Sequence, residues 1–445
     1  VATTGGVLRY HRTKNEWLDP WVIVLGRIES VDLRNAYNVD YVQDENAIAV
    51  QTNKGTFTYN FTFKNWQPSE HDFEPPLPAT EVTNLAFLNM PDYSVSGRSF
   101  SRSNEVGIMD NKLRKYGFSI FADDQFGDAW VGIEGVGVLQ LNKYSQRGIV
   151  WELGLSGSDV RAIAFGENWY CFGGHNRSGG ISFYRPKRQV WDHLSWEYTM
   201  GLQSTWINDF EVSGKYLLAA TDLGLAQINL KNGGTRTYAI QQGLWSNLVT
   251  SVAVDKDTVW VGMEDGVCKL FLPKGPVKRL EQPSLRTQPV YRLEVDSEAL
   301  WVGGESGLYR YDRKSGKGKY IEGGSVVGGQ VYAMFNTPTE LWTGRFNGIK
   351  VTDKKTLKEE GWSAQAFFDG AEVYAIAKVD SLVFVGTDNG LYKFDRTRNR
   401  WHRFSEEDGL IDNHVTALYQ DGDYLIIGTK EGVTQFFWND PMRID

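Results

Sequence analysis

Six histidines, His11, His71, His175, His193, His402 and His414, are the side chains of this sequence best suited to hold a metal or move a proton near neutral pH. They are scattered, with no paired ligand spacing. Cys171 and Cys268 are equally far apart, so they make neither a zinc motif nor a disulfide framework, and buried free thiols are expected. The sequence holds no Gly-x-Ser-x-Gly elbow, no His-Glu-x-x-His pair and no glycine-rich phosphate loop followed by a helix. Carboxylates are plentiful, notably Glu264, Asp265, Glu305, Asp388 and Glu431. Cleaving a glycosidic bond needs two carboxyls at a defined separation, and acids spread through turns are read more simply as solvated. The expectation is no catalytic residue, no metal site and no cofactor.

Those turn acids belong to a hairpin that recurs about every 42 residues. VFVGTDNGLYKFD, from Val383 to Asp395, is echoed by LWVGGESGLYRYD from Leu300 and by VWVGMEDGVCKLF from Val259. The series continues with LWTGRFNGIKVTD from Leu341, LIIGTKEGVTQFF from Leu425, LLAATDLGLAQIN from Leu217 and AWVGIEGVGVLQLN from Ala129. Each reads as two strands of β-branched and aromatic residues around a polar turn that ends in glycine. A second, inner glycine at 132, 262, 303, 344, 386 and 428, replaced once by Ala220, marks a strand position where neighbouring backbone should approach closely.

A short alternating strand precedes each hairpin, opening near Val39, Val82, Phe118, Val160, Ile207, Val249, Val290, Val331, Val373 and Val415. A further piece follows it, such as RNRWHRFS from Arg398 to Ser405, which reads as an outer strand. Four antiparallel strands in a unit of this length is the pattern of a β-propeller blade, and such a unit cannot bury both faces alone, so neighbours must stack. The expected fold is all-β: one large β-propeller spanning 1–445, with about ten four-stranded blades. The last blade lacks an outer strand after VTQFFW, and the N-terminal region 1–30 carries two unassigned strand-like stretches, VLRYHRTKNEW and WVIVLGR. One of them is expected to complete the C-terminal blade and close the ring. Two rings of about five blades are the alternative.

The 445 residues are 41% hydrophobic and 13% aromatic, enough to fill the spaces between blades. A net charge of −8 with interspersed signs argues against a nucleic-acid partner. No apolar run approaches the length needed to span a membrane. Val1 is not an initiator methionine, which fits a processed, exported form. The triplets Asn60-Phe61-Thr62 and Asn176-Arg177-Ser178 match glycosylation acceptors.

In an up-and-down blade, the turn between the second and third strands shares a face with the loop leading into the next inner strand. That face gathers Trp206, Asn208, Trp245, Asn247, Arg345, Asn413 and His414 as candidate binding residues, because loops on a rigid scaffold often carry recognition. Aromatic rings beside amides suit a sugar ring or a peptide. Trp206 and Trp245 could equally plug gaps between blades. Asp40, Asp124, Arg161, Arg292 and Lys378 are placed on inner strands and should line the channel.

The wording WxGTxxGLxxFD, then an outer WxxF strand, then DGLxxNxV, clearest from Val385 to Val415, resembles the two-component regulator propeller repeat. The resemblance runs from about Ala129 to Phe437. It implies an extracytoplasmic location, in the periplasm or at the cell surface, and a rigid display role. It leads to the expectation of a non-catalytic scaffold that binds a protein or glycan partner, as a subunit of a bacterial envelope or surface assembly. The alternative is a polysaccharide lyase or glycoside hydrolase on the same scaffold.

Overall fold

The computed structural model describes residues 2–3, 6–11, 16–21, 33, 36–63, 65–73, 93–95, 98–101, 107–108, 118–123, 128–133, 137–142 and 147–439, apart from 177–179, 189, 197–198, 322–328, 347 and 363–367. The register near Val82, the channel candidate Asp124 and residues 177–178 of the second acceptor triplet lie outside these. Among the described residues the elements are antiparallel strands, with single 3-10 turns at Ile240–Gln242 and Glu406–Asp408. The chain divides into two compact units, Val1–Gly154 with Arg188–Trp191, and Leu155–Lys187 with Asp192–Asp445.

In the first unit, Ala36–Val42, Ala47–Thr52, Gly55–Asn60 and Asn65–Pro68 make one four-stranded sheet, and Phe118–Asp123 opens another. Tyr93–Val95, Arg98–Ser101 and Gly107–Ile108 form a three-stranded sheet. The N-terminal strand Gly6–His11 pairs with Ala2–Thr3 on one side and Glu16–Trp21 on the other. Val7 packs with Leu33, Ala36 and Val50 of its own unit, and all but Trp21 of WVIVLGR, the second stretch expected to close the ring, lies outside the described residues.

The second unit contains seven sheets. Their inner strands are Ala162–Gly166, Ile207–Ser213, Val249–Asp255, Val290–Val295, Ala333–Asn336, Val373–Val379 and Val415–Asp421, at or within two residues of the registers read from the sequence. Six of these sheets have four strands in sequential order, and the seventh has three, Val415–Asp421, Tyr424–Thr429 and Gly432–Phe437.

The joint between sheets is a knob of one fitted over a glycine of the one before. A Cβ placed on Gly262 would lie 2.8 Å from Val290, on Gly303 2.7 Å from Val331, and on Gly386 2.6 Å from Val415, all closer than real side chains approach. Gly173 meets Ile207 in the same way, and Ala220 shares a cluster with Val249. The close approach expected at the inner glycines is therefore what stacks the sheets. Gly428 of the seventh sheet receives Val160, at the start of the first. There Val160 N donates to Thr429 O at 2.8 Å, matching Val331 N to Gly304 O at 3.1 Å, and Phe165 packs on Tyr419 with ring centres 4.3 Å apart. Thr416 Oγ1 donates to Val160 O and the Tyr170 hydroxyl to Asp421 across the same joint.

The circuit of neighbouring sheets thus returns to its start after seven, which corrects the single ring of ten and the two rings of five. Repeats of nearly equal wording do not say which opening residue the last glycine will accept. Val160 fills it.

On the opposite edge of the sheets, a cation at the end of a third strand reaches back to an acid of the preceding sheet. Lys354 meets Asp296 at 2.9 Å, Arg396 meets Glu340 at 3.2 Å, and Arg313 meets Asp255. Trp301 Nε1 also donates to Asp296 and Trp342 Nε1 to Glu340, tying the recurrent buried tryptophans into these latches. A cleft of about 710 Å³, lined by Asp296, Asn336 and Lys354, lies at one such latch, where Asp296 and Lys354 already satisfy each other.

Replacing Gly386 or Gly428 with alanine should destabilise the unit by about 1–3 kcal/mol through overpacking against Val415 or Val160. Chemical denaturation of each variant, against an alanine at the open turn position Gly422, measures this.

Candidate functional site

Asn247 and Asn413 hold loops rather than face solvent. Asn247 Oδ1 accepts from Ile240 N and Asn413 Oδ1 from Glu406 N, each at 3.0 Å, so both stop the free amide that opens a 3-10 turn. Asn413 Nδ2 also donates to Glu406 at 2.9 Å. Trp245 packs against the core of the third sheet, with the guanidinium of Arg279 4.1 Å from its ring centre. Arg345 donates to Gly329 O at 3.2 Å and to Glu359 at 2.7 Å, and Glu359 is also bonded by Lys350. Each of these four is committed to the scaffold.

Asn208 belongs partly to the same class. Its Nδ2 donates to Val249 O at 2.7 Å, the bond that Thr250 Oγ1 makes to Val290 O at 2.6 Å one joint further on. Its Oδ1 meets His175 Nε2 at 2.7 Å, and the His175 ring lies nearly parallel to Trp206 at 5.1 Å. Trp206 is 41% exposed, so this pair presents one flat aromatic face to solvent. His414 stacks on Tyr374 at 5.0 Å, and burial followed by the nearby Lys430 ammonium holds its imidazole below the usual range. Trp206 and His414 stack on different partners, His175 and Tyr374.

The Tyr374 contact leads to the residues the sequence reading missed. The residue after the opening aliphatic of each inner strand is Arg161, Asn208, Thr250, Tyr291, Tyr332, Tyr374 or Thr416. Asn208, Thr250 and Thr416 use this position to bond the next sheet. Sheets four, five and six instead place a tyrosine there. Tyr291 and Tyr332 lie 5.3 Å apart, and Tyr374 carries the row on to His414. The Tyr291 hydroxyl donates to Glu305 and that of Tyr374 to Glu372, both at 2.6 Å. Burial, with those carboxylates, pushes both phenols well above their ordinary range, and Tyr332 is raised by burial and then by Glu372 and Glu305. Phe346, 52% exposed, bridges by its backbone to Glu372. Three tyrosines at one register in successive repeats were legible, had the repeats been aligned column by column.

Deeper along the inner strands, Arg292 meets Asp209 at 2.7 Å although their sheets, the fourth and the second, are not neighbours. Ser251 of the intervening sheet donates to Asp209 at 2.8 Å, so the bond is carried over the third sheet where the strands converge. Arg292 was expected to line the centre, and it does so as part of this network. Arg161 pairs with Asp159 at 3.0 Å, Lys378 with the Asp380 carbonyl at 2.7 Å, and Asp40, in the first unit, with His71 at 3.1 Å. Burial, then the Asp209 charge, raises Glu211 to about 8, and burial against the opposing pull of Arg292 raises Glu294 to about 7. Cys171 and Cys268 are buried free thiols, as expected, both raised by burial. Among the described residues no group of three or more His, Cys, Asp or Glu could hold a metal ion, and no helix is long and apolar enough to cross a membrane.

No protein-family model and no curated protein matches the sequence. Solved structures do. The chain is similar over 99% of its length to an extracellular domain of a putative hybrid two-component system of B. thetaiotaomicron, at 14% identity and TM-score 0.54, and spans 63% of that chain. It is similar over 98% of its length to PorZ of Porphyromonas gingivalis, described as an essential surface component of the type-IX secretion system, at 14% identity and TM-score 0.53, covering 72% of it. A virginiamycin B lyase from Staphylococcus aureus matches over 64% of this chain and 96% of its own, at 12% identity and TM-score 0.53. They share its fold. The two-component regulator resemblance seen in the repeat wording is thus met by neighbours from two-component systems, and at these identities the likeness speaks for the propeller-like fold.

Two outcomes follow from the site. Trp245→Ala, which removes a half-buried ring packed on the third sheet's core, should cost stability, though less than the ~3–5 kcal/mol of a fully buried tryptophan, whereas Trp206→Ala should leave the denaturation midpoint nearly unchanged. A carboxyl whose folded pKa is raised favours the protonated protein. The stability contributed by Glu211 and Glu294 is therefore full below their ordinary value of 4.5 and lost as pH rises through about 7 and about 8. Tm should fall across that window, and the slope should flatten in Glu211→Gln and Glu294→Gln.

Proposed function

We propose that this protein is a non-catalytic, extracytoplasmic propeller that binds a protein or glycan partner at the face carrying Tyr291, Tyr332 and Tyr374, and that it works within a bacterial envelope or surface assembly. The observation that carries this reading is the tyrosine row itself. At a register where three of the other four sheets use Asn or Thr for a joint, three successive sheets present rings, and the backbone beneath them is held by the glycine joints. Rings on a rigid frame offer contact area with little ordering entropy. Support for the compartment and the assembly comes from neighbours that are extracellular domains or a surface secretion component.

A catalytic reading has one specific observation in its favour. Glu211 and Glu294, at about 8 and about 7, are held in the range a general acid needs, and one neighbour is a lyase. Release of unsaturated or reducing ends from a polysaccharide panel, abolished in Glu294→Gln, would establish it in place of the binding role.

The binding reading is tested by a glycan array and a pull-down from a bacterial envelope fraction, using wild type and Tyr332→Ala. Each ring removed should weaken capture by about three- to tenfold, with Tm little changed. Capture that survives loss of all three tyrosines would place the partner elsewhere.

A further inference from the structure

The seventh sheet ends on Gly432–Phe437, and among the described residues no strand pairs with its outer side. The other sheets show what belongs there. In the second, Leu225 is opposite Tyr238, and in the sixth Leu391 is opposite Phe404. In the third and fourth, Leu280 N donates to Val267 O at 3.0 Å and Ile321 N to Leu308 O at 2.8 Å. In each case a bulky residue in the fourth strand, or immediately after it, covers the residue that follows the turn glycine. Leu225, Val267, Leu308 and Leu391 are accordingly at most 1% exposed. Val433, the same residue of the seventh sheet, is only half-buried.

The neighbouring loop does not fill this slot. Ile411 N donates to Thr434 Oγ1 and its side chain lies beside Gly432, as Trp245 lies over Cys268 in the third sheet, where the fourth strand Lys278–Arg279 is nonetheless present. A charge cue accompanies the apolar one. In the sixth sheet Arg403, just before Phe404, forks onto the carbonyl and side chain of Asn389, both at 2.6 Å. The seventh sheet has Glu431 at the position of Asn389, exposed in the turn.

We propose that the outer edge of Gly432–Phe437 is a strand-acceptor site for an extended segment of a partner protein, four or five residues long, in which an Arg or Lys immediately precedes an aromatic residue. The segment adds antiparallel to the edge. Its aromatic ring covers Val433, its backbone N–H bonds the Val433 carbonyl, and its cation meets Glu431. The fold supplies the template: Arg400–Phe404 reads RWHRF, with the Arg403 cation immediately before the ring that lies opposite Leu391. This site is on the outer rim, and it stands or falls separately from the tyrosine face.

The test uses the full chain and a fluorescein-labelled peptide RWHRFS, titrated by fluorescence polarisation. Saturable binding is expected, weakened at least tenfold by Glu431→Lys and by replacing the peptide's last Arg with Glu. Combining those two changes should restore it. A peptide with proline in place of its Phe should not bind. The proposal is overturned if RWHRFS shows no saturable binding, or if Glu431→Lys leaves its affinity unchanged. It is equally overturned if amide exchange across 432–437 in the free protein is as slow as across 390–395, since a segment of the same chain then holds the edge. A concentration-dependent dimer joined through this edge would overturn it in favour of a second copy.

Discussion

A missing side chain governs this structure. Wherever the second strand of a sheet carries its inner glycine, the opening aliphatic residue of the next sheet sits where a Cβ would be, and the two backbones close to a distance that alanine would break. A sheet of four short strands exposes two apolar faces and cannot stand alone. The glycine joint lets each sheet cover its neighbour, and the latches from Lys354 to Asp296 and from Arg396 to Glu340 hold the far edges of the same pairs. The joint from Gly428 to Val160 is of the same kind as the others, so the same packing links the last sheet of the second unit to its first.

That frame leaves one residue per sheet free to vary beside each joint. Where it is Asn208, Thr250 or Thr416 it bonds the next sheet, and the scaffold gains a hydrogen bond. In the fourth to sixth sheets it is tyrosine, and a row of rings appears. The same convergence that lines up the rings also crowds charge along the inner strands, so that Asp209 and Arg292 meet over an intervening sheet and Glu211 and Glu294 keep their protons near neutral pH. The tyrosine row and the crowded inner charges thus arise from one geometric fact.

The loop candidates show why types and spacing mislead at a site. Asn247 and Asn413 recur because a 3-10 turn leaves an amide that their side chains satisfy, and a polar residue that recurs for a local reason looks, in a sequence, like one kept to meet a partner. Arg345 is spent on Glu359, and Trp245 on the core with Arg279. Trp206 retained an open face because its stacking partner, His175, covers only one side of the ring.

Period, strand order, the glycine joints, the buried tryptophans and the free thiols were all determined by the sequence, because each is a local consequence of alternation, turn chemistry or a repeated small residue. The number of sheets in the circuit was not. Val39, Phe118 and Val160 are similar openings, and only packing decides which of them Gly428 accepts. Nor could the chain alone show that Arg292 lies beside Asp209, 83 positions away, or that Val433 is left half-covered, since both depend on which strands stand next to one another in space.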